Sequence, residues 1–352
     1  MTLPEPAGAQ LAVLSHSGRA LHFLDLASGH RTGLLGMLPE AHELCFDPDR
    51  RLLYASHTYR SGHYLEHGDE GHEITVVDVD ARKVVDVVDL APEHAPHGLK
   101  LDRAAGVLYI SVEEGPAGPG GLVALDTATR LVKRRFSAEA PVPHWMAVTP
   151  DGRRAYTANK CSSYVSVVDL VRGGPVRPVP VGGSEGLDVS PDGSRVYVAT
   201  PALALPPDPD ADYAVQVVDA RTQTVTHTLR TSHAPSPVHV THDGKLLVGQ
   251  WRTAPEGRGV RFEAGLLSVY DASSLALLGE AEVARSPINI VSTPDGSTAF
   301  VTGLHAQEVS VVDLAAYRVT GTLDLDLGEE APGGGVTHQG AHGLAYIPAP
   351  AA

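Results

Sequence analysis

One pattern recurs along this chain at intervals that few architectures accommodate. The segment His144–Asn159 reads HWMAVTPDGRRAYTAN, and Glu185–Thr200 repeats it as EGLDVSPDGSRVYVAT. Related copies begin at His42 (HELCFDPDRRLLYASH), His97 (HGLKLDRAAGVLYISV), Ser236 (SPVHVTHDGKLLVGQW) and Ile288 (INIVSTPDGSTAFVTG). A seventh copy, HGLAYIP from His342, is cut short by the C-terminus. Successive starts lie 55, 47, 41, 51, 52 and 54 residues apart. That spacing suits one four-stranded blade per repeat.

Each copy reads as a strand, a tight turn of Pro-Asp-Gly type and a second strand. A third strand follows and ends in Val-Asp or a variant, as in ITVVDVD, VSVVDLV and VQVVDAR. A fourth, more polar strand closes the unit. Alternation and the Val, Ile and Tyr content favour strands over helices. The truncated seventh copy finds its missing strands at the other terminus. Gln10–His16 matches a second strand, Arg19–Leu26 a third, and the segment from His30 a fourth. The expectation is a single all-β, seven-bladed propeller over residues 1–352, whose N-terminal strands complete the C-terminal blade and leave no open pairing edge.

The SVVD, PHG and SPDG motifs, with VYVAT or AYTAN after the turn, resemble the YVTN family of β-propeller repeats and its YncE-like members. The resemblance covers nearly the whole chain. It implies the fold and leaves function open, because the family is functionally mixed. Related lactonase-type propellers carry a similar Pro-His and Tyr-x-x-Asn pattern. Here PHW and YTAN occur together only in the third repeat, followed by Lys160 where an acidic residue is expected.

Composition narrows the function classes. Lys and Arg number 27 against 42 Asp and Glu, a formal charge of −15. Neither a nucleic acid nor an anionic membrane surface suits such a balance. No apolar run is long enough to span a bilayer. The N-terminal residues show neither a basic n-region nor an apolar h-region, so a cytoplasmic location is expected. Cys45 and Cys161 are far apart and form no disulfide framework or metal spacing.

In a blade, the loop entering the inner strand and the loop between strands two and three share one end, here called the top. The long connections Thr58–Glu73, Pro201–Asp212, Arg252–Ala264 and Gly328–Gly340 fall there, where function concentrates on a rigid scaffold. Aligned on the turn, the positions at the start of the inner strands are His42, His97, His144, Glu185, Ser236, Ile288 and His342. Read round the ring from blade seven, four histidines and a carboxylate are contiguous. The ends of the second strands give His16, His57, Val112, Asn159, Thr200, Trp251 and Gly303.

Imidazole is the commonest protein ligand for transition metals. A divalent Fe, Cu or Zn ion held by His42, His97, His144 and His342 is therefore one expectation. Glu185 is then a catalytic carboxylate, ligating the ion or accepting a ligand N–H. His16, His57 and Asn159 would lie beside the site, with Trp251 and Ile288 as an apolar wall for a small organic substrate. The same histidines read equally as structural caps of a non-catalytic propeller that binds a ligand or protein. A metal-free, lactonase-like hydrolase is a third reading. Glu113 and Glu114 are candidate bases at the channel mouth, and Cys161 a candidate thiol. His63, His67 and His72 read as part of a solvated acidic loop. His227, His239 and His242 read as structural.

Overall fold

The computed structural model describes residues 8–16, 18–60, 70–160, 162–174, 176–201, 211–257, 259–325 and 340–350. Most of three expected top loops, with Cys161, His63 and His67, falls outside these residues. Among them are seven four-stranded antiparallel sheets and one two-stranded hairpin. No helix among them is long and apolar enough to cross a membrane.

The inner strands of blades one to seven are Ala41–Asp47, Leu99–Asp102, Pro143–Val148, Leu187–Val189, Ala234–Val240, Pro287–Ser292 and Ala341–Ile347. Each neighbours the next, and the seventh returns to the first, so the sheets form a closed ring. Blade seven takes its inner strand from the C-terminal end and its outer three, Gln10–Ser15, Ala20–Asp25 and Arg31–Gly36, from the N-terminal end. The seam pairs Gln10 with Ile347 and Ala12 with Ala345.

The core consists of seven layers between blades. Along Gln10–Ser15, Leu11 and Val13 pack with Phe300 and Val309 of blade six. Ala12 and Leu14 pack instead with Leu53 and Val77 of blade one. Period-2 alternation thus buries both faces of the strand, and the middle strands read as near-continuous apolar runs. Each of the other five blade contacts has its own apolar cluster.

The repeat motifs are turn chemistry. In Thr149-Pro150-Asp151-Gly152 the Thr149 hydroxyl donates to Asp151 at 2.6 Å, and Asp151 accepts the Arg153 N–H at 3.1 Å. Ser190 and Asp192, and Thr293 and Asp295, do the same. The Asp of each Val-Asp pair accepts backbone N–H groups of the turn that follows, as Asp169 does from Val171 and Arg172. These local side-chain bonds satisfy turn donors that no strand partner reaches. One expected loop differs: Thr253–Glu256 and Gly259–Phe262 pair as a hairpin within Arg252–Ala264.

Candidate metal centre

The start of the inner strand is where the blade ladder breaks. Register shifts fall between Ala41 and Leu44, Pro143 and Met146, Pro235 and Val238, and Pro287 and Asn289. A bulge there frees backbone groups and re-aims side chains toward the axis. The freed groups find partners in the adjacent blade. Ser56 donates to the His97 carbonyl at 2.8 Å, Ser111 to that of His144 at 2.6 Å, and Thr302 to that of His342 at 2.9 Å. This explains the glycine after histidine. A Cβ on Gly98 would lie 2.8 Å from the His144 carbonyl oxygen, and one on Gly343 would lie 2.6 Å from that of His42. The histidine backbones therefore clasp neighbouring blades, a task that does not need an imidazole.

The imidazoles gather. Ring centroids are 3.6 Å apart for His144 and His97, 4.3 Å for His97 and His42, and 4.1 Å for His42 and His342. His16 is 5.1 Å from His42, with its Nε2 3.1 Å from His42 Nδ1. All five rings are buried. Among the described residues, three groups have donor atoms within 4.8 Å of one another: His42, His97 and His144; His16, Glu40 and His42; and His42, Glu43 and His342. His42 belongs to all three, so the four histidines form overlapping groups around a hub.

Carboxyls flank both ends of the row. Glu185 Oε1 is 3.7 Å from His144 Nδ1 and 3.8 Å from Lys160 Nζ. Glu43 Oε1 is 3.7 Å from His342 Nδ1, and its Oε2 accepts from Asn289 Nδ2 at 2.7 Å. Glu40 Oε1 is 3.4 Å from His16 Nε2. Burial drives His42, His97, His144 and His342 well below the usual histidine range, and Lys160 pushes the same way. Burial also raises Glu185 and lifts Glu43 to about 8, against the Asn289 bond and the Lys100 charge. Neutral imidazole is the ligating form. Neither ring nitrogen of His97 has a hydrogen-bond partner among the described residues, nor does Glu43 Oε1 or His342 Nδ1. Buried polar atoms are normally paired. Unsatisfied imidazole nitrogens beside carboxylate oxygens form a donor set that fits a divalent transition metal.

The other expected residues are placed variously. His57 is in none of the three groups. Its Nδ1 lies 3.1 Å from the Pro39 carbonyl and its Nε2 2.7 Å from Thr75 Oγ1, and burial holds it down to about 4. Asn159 clasps its own blade, donating to Ser166 Oγ at 2.9 Å and accepting from Thr157 at 2.8 Å. Trp251 donates to the Pro287 carbonyl at 2.7 Å. It meets Phe262 of the hairpin edge-on, and Phe262 stacks on His305 at 4.0 Å. Ile288 is buried. Burial pushes Glu113 up to about 7, while the Tyr59 hydroxyl donates to it at 2.7 Å. Glu114 is exposed. Burial lifts the Cys45 thiol to about 11, which keeps it protonated.

Glu40, Glu43, Asn289 and His305 were not singled out by the sequence reading. Glu43 had a legible signal, because its column otherwise holds Gly98, Trp145, Gly186, Pro237, Asn289 and Gly343. The other six are uncharged, so an acid there marks a local departure.

No family model matches the chain, and no curated protein matches its sequence. Solved structures do share the fold. A functionally unknown protein from Desulfotomaculum acetoxidans superposes with TM-score 0.68 at 11% identity, covering 96% of this chain and 98% of that one. Hydrazine synthase of Kuenenia stuttgartiensis gives 0.64 at 17% identity, covering 88% and 87%. The dihydro-heme d1 dehydrogenase NirN, in complex with DHE, gives 0.58 at 16% identity, covering 92% and 65%. At such identities the likeness establishes a shared seven-bladed propeller architecture and nothing narrower.

Proposed function

We propose that this chain is a metal-dependent enzyme acting on a small organic substrate at one end of the central channel, with the metal held by His42, His97, His144 and His342. The observation that carries this reading is the buried row of imidazoles flanked by carboxyls, whose histidine backbones already perform the structural task. A divalent Fe, Cu or Zn ion supplies Lewis-acid or redox chemistry when bound, which leaves oxygenase, lyase and hydrolase action open. Glu185, raised by burial beside Lys160, holds or moves a proton at its carboxyl. Trp251, Phe262 and His305 offer an aromatic wall. Two of the similar structures are named as enzymes. Membership of the YVTN-type propellers, a cytoplasmic location, and the absence of nucleic-acid or membrane partners belong to the same proposal.

One observation favours a second reading. The histidine row is at most 5% exposed, which suits a propeller that binds a ligand or protein elsewhere and keeps the row as an internal element. Elemental analysis and thermal unfolding of untagged protein separate the two. The enzyme reading expects about one metal per chain. It also expects a stabilisation of about 2.7 kcal/mol when the ion is at a hundredfold its dissociation constant. That stabilisation should be lost in His97→Ala and His144→Ala and kept in the outer-strand His227→Ala. If Fe(II), Zn(II) and Cu(II) all leave the wild type unmoved, the binding reading takes its place.

A further inference from the structure

A second constellation lines the channel wall one layer along from the histidine row. It comes from the inner strands of blades four, five and six. His239 Nε2 is 2.9 Å from Ser292 Oγ, and His239 Nδ1 is 3.3 Å from Asp188 Oδ2. Asp188 is fixed by the Val240 N–H, 3.0 Å from Oδ2. Across the channel, Lys100 Nζ is 3.9 Å from Asp188 Oδ1. We propose that Ser292, His239 and Asp188 form a nucleophile, base and orienting acid that transfer the acyl group of a small carboxylic ester or lactone.

Three features distinguish this set from an ordinary buried network. The first is geometry: a nucleophile bonded to a base, and the base beside a carboxylate, is what defines a triad whatever the fold or chain order. Asp188 beside Nδ1 selects the tautomer protonated there, leaving Nε2 to accept from Ser292.

The second is access. The side chains of His239 and Lys100 are 23% and 41% exposed, and Ser292 is half-buried. Blade-packing hydroxyls such as Ser56 and Ser111 are wholly buried.

The third is departure from the repeat. The column of Ser292 otherwise holds Phe46, Leu101, Val148, Val189, Val240 and Tyr346. An aliphatic hydroxyl occurs there only in blade six, opposite the only histidine in its own column. Local breaks in an otherwise consistent pattern concentrate at functional sites. Cys45, in the same column as His239, is excluded as the nucleophile by its raised thiol.

The chemistry balances without a cofactor. Ser292 Oγ bonds to the carbonyl carbon as its proton passes to His239 Nε2. The tetrahedral adduct collapses, the bond to the alkoxy oxygen breaks, and that oxygen takes the proton from His239. Water then attacks the acyl-serine, giving its proton to His239, which returns it to Ser292 as the carboxylic acid leaves. The set requires no metal, so it stands apart from the histidine row.

The test is labelling by phenylmethanesulfonyl fluoride, which sulfonylates an activated serine and releases fluoride. It is read by mass spectrometry on chelator-treated full-length protein, alongside the burst of p-nitrophenolate from p-nitrophenyl acetate. The label should map to Ser292, be absent from Ser292→Ala, and form at least about tenfold more slowly in His239→Gln and Asp188→Asn. Labelling should be the same whether or not the protein has first been treated with chelator, which separates this site from the metal reading. If Ser292→Ala does not fold, Ser292→Thr with native circular dichroism serves, and slowed labelling is expected. An unlabelled Ser292 in folded wild type, or labelling indifferent to His239→Gln, overturns the proposal.

Discussion

Replacing Ser111 with Ala tests whether the blades hold the histidine backbones as described. The Ser111 hydroxyl is fully buried on the second strand of blade two. It accepts the Gly98 N–H at 2.8 Å and donates to the His144 carbonyl at 2.6 Å. Alanine removes both bonds and supplies nothing in return. Leaving a buried polar group unsatisfied costs about 1–3 kcal/mol, so two groups with partial relaxation put the loss at about 2–4 kcal/mol. Urea unfolding at pH 7, followed by tryptophan fluorescence, measures it directly. The exposed Ser273→Ala is the control and should stay within about 0.5 kcal/mol of wild type. A second readout ties the clasp to the site. His97 and His144 lose their fixed spacing together, so any metal-induced rise in melting temperature should shrink in Ser111→Ala. A stability loss as small as that of the control would refute the clasp, and with it the argument that the imidazoles are spared for another role.

Two further outcomes follow from the same packing. Burial, then Arg31, holds His22 down to about 4 from an ordinary 6.5. The folded state therefore binds fewer protons than the unfolded one, and stability is kept above pH 6.5 and lost as pH falls toward 4. That gap is worth about 3 kcal/mol. In His22→Leu the difference in unfolding free energy between pH 7 and 4.5 should shrink by about 2 kcal/mol; an unchanged difference contradicts the assignment. Gly186→Ala would place a Cβ 2.2 Å from the Ser236 carbonyl oxygen. Forcing blades four and five apart should cost about 1–3 kcal/mol in calorimetry, and an unchanged melting temperature would show that the contact gives freely.

The repeat made the blades legible because each copy carries its own turn chemistry, and the seam was visible as strands missing at one end and present at the other. The ring of His42, His97, His144 and His342 was legible for the same reason: equal positions in equal repeats reach equal heights. What could not be read was how those positions relate across blades. Glu43 and Asn289 bond although the inner strand of blade seven lies between theirs, a contact that depends on ring curvature. Ser292 reaches His239 from a position one residue further along its strand, an offset set by twist rather than by order. The hairpin in Arg252–Ala264 was hidden because its strands are only four residues long, too short for an alternation to show.

The seam also sets an order of events. The strand that carries His342 follows every other blade in the chain, while its partner, Gln10–Ser15, precedes them. During synthesis, at about 5–20 residues per second, the outer strands of blade seven must wait for every intervening residue with one edge unpaired. Until Ala341–Ile347 arrives, that edge is open to strands of other chains, and the row of imidazoles lacks the member that meets Glu43. Any ion binding that uses the whole row must therefore follow ring closure, so a nascent or clipped chain would expose an adhesive edge and an incomplete metal site together.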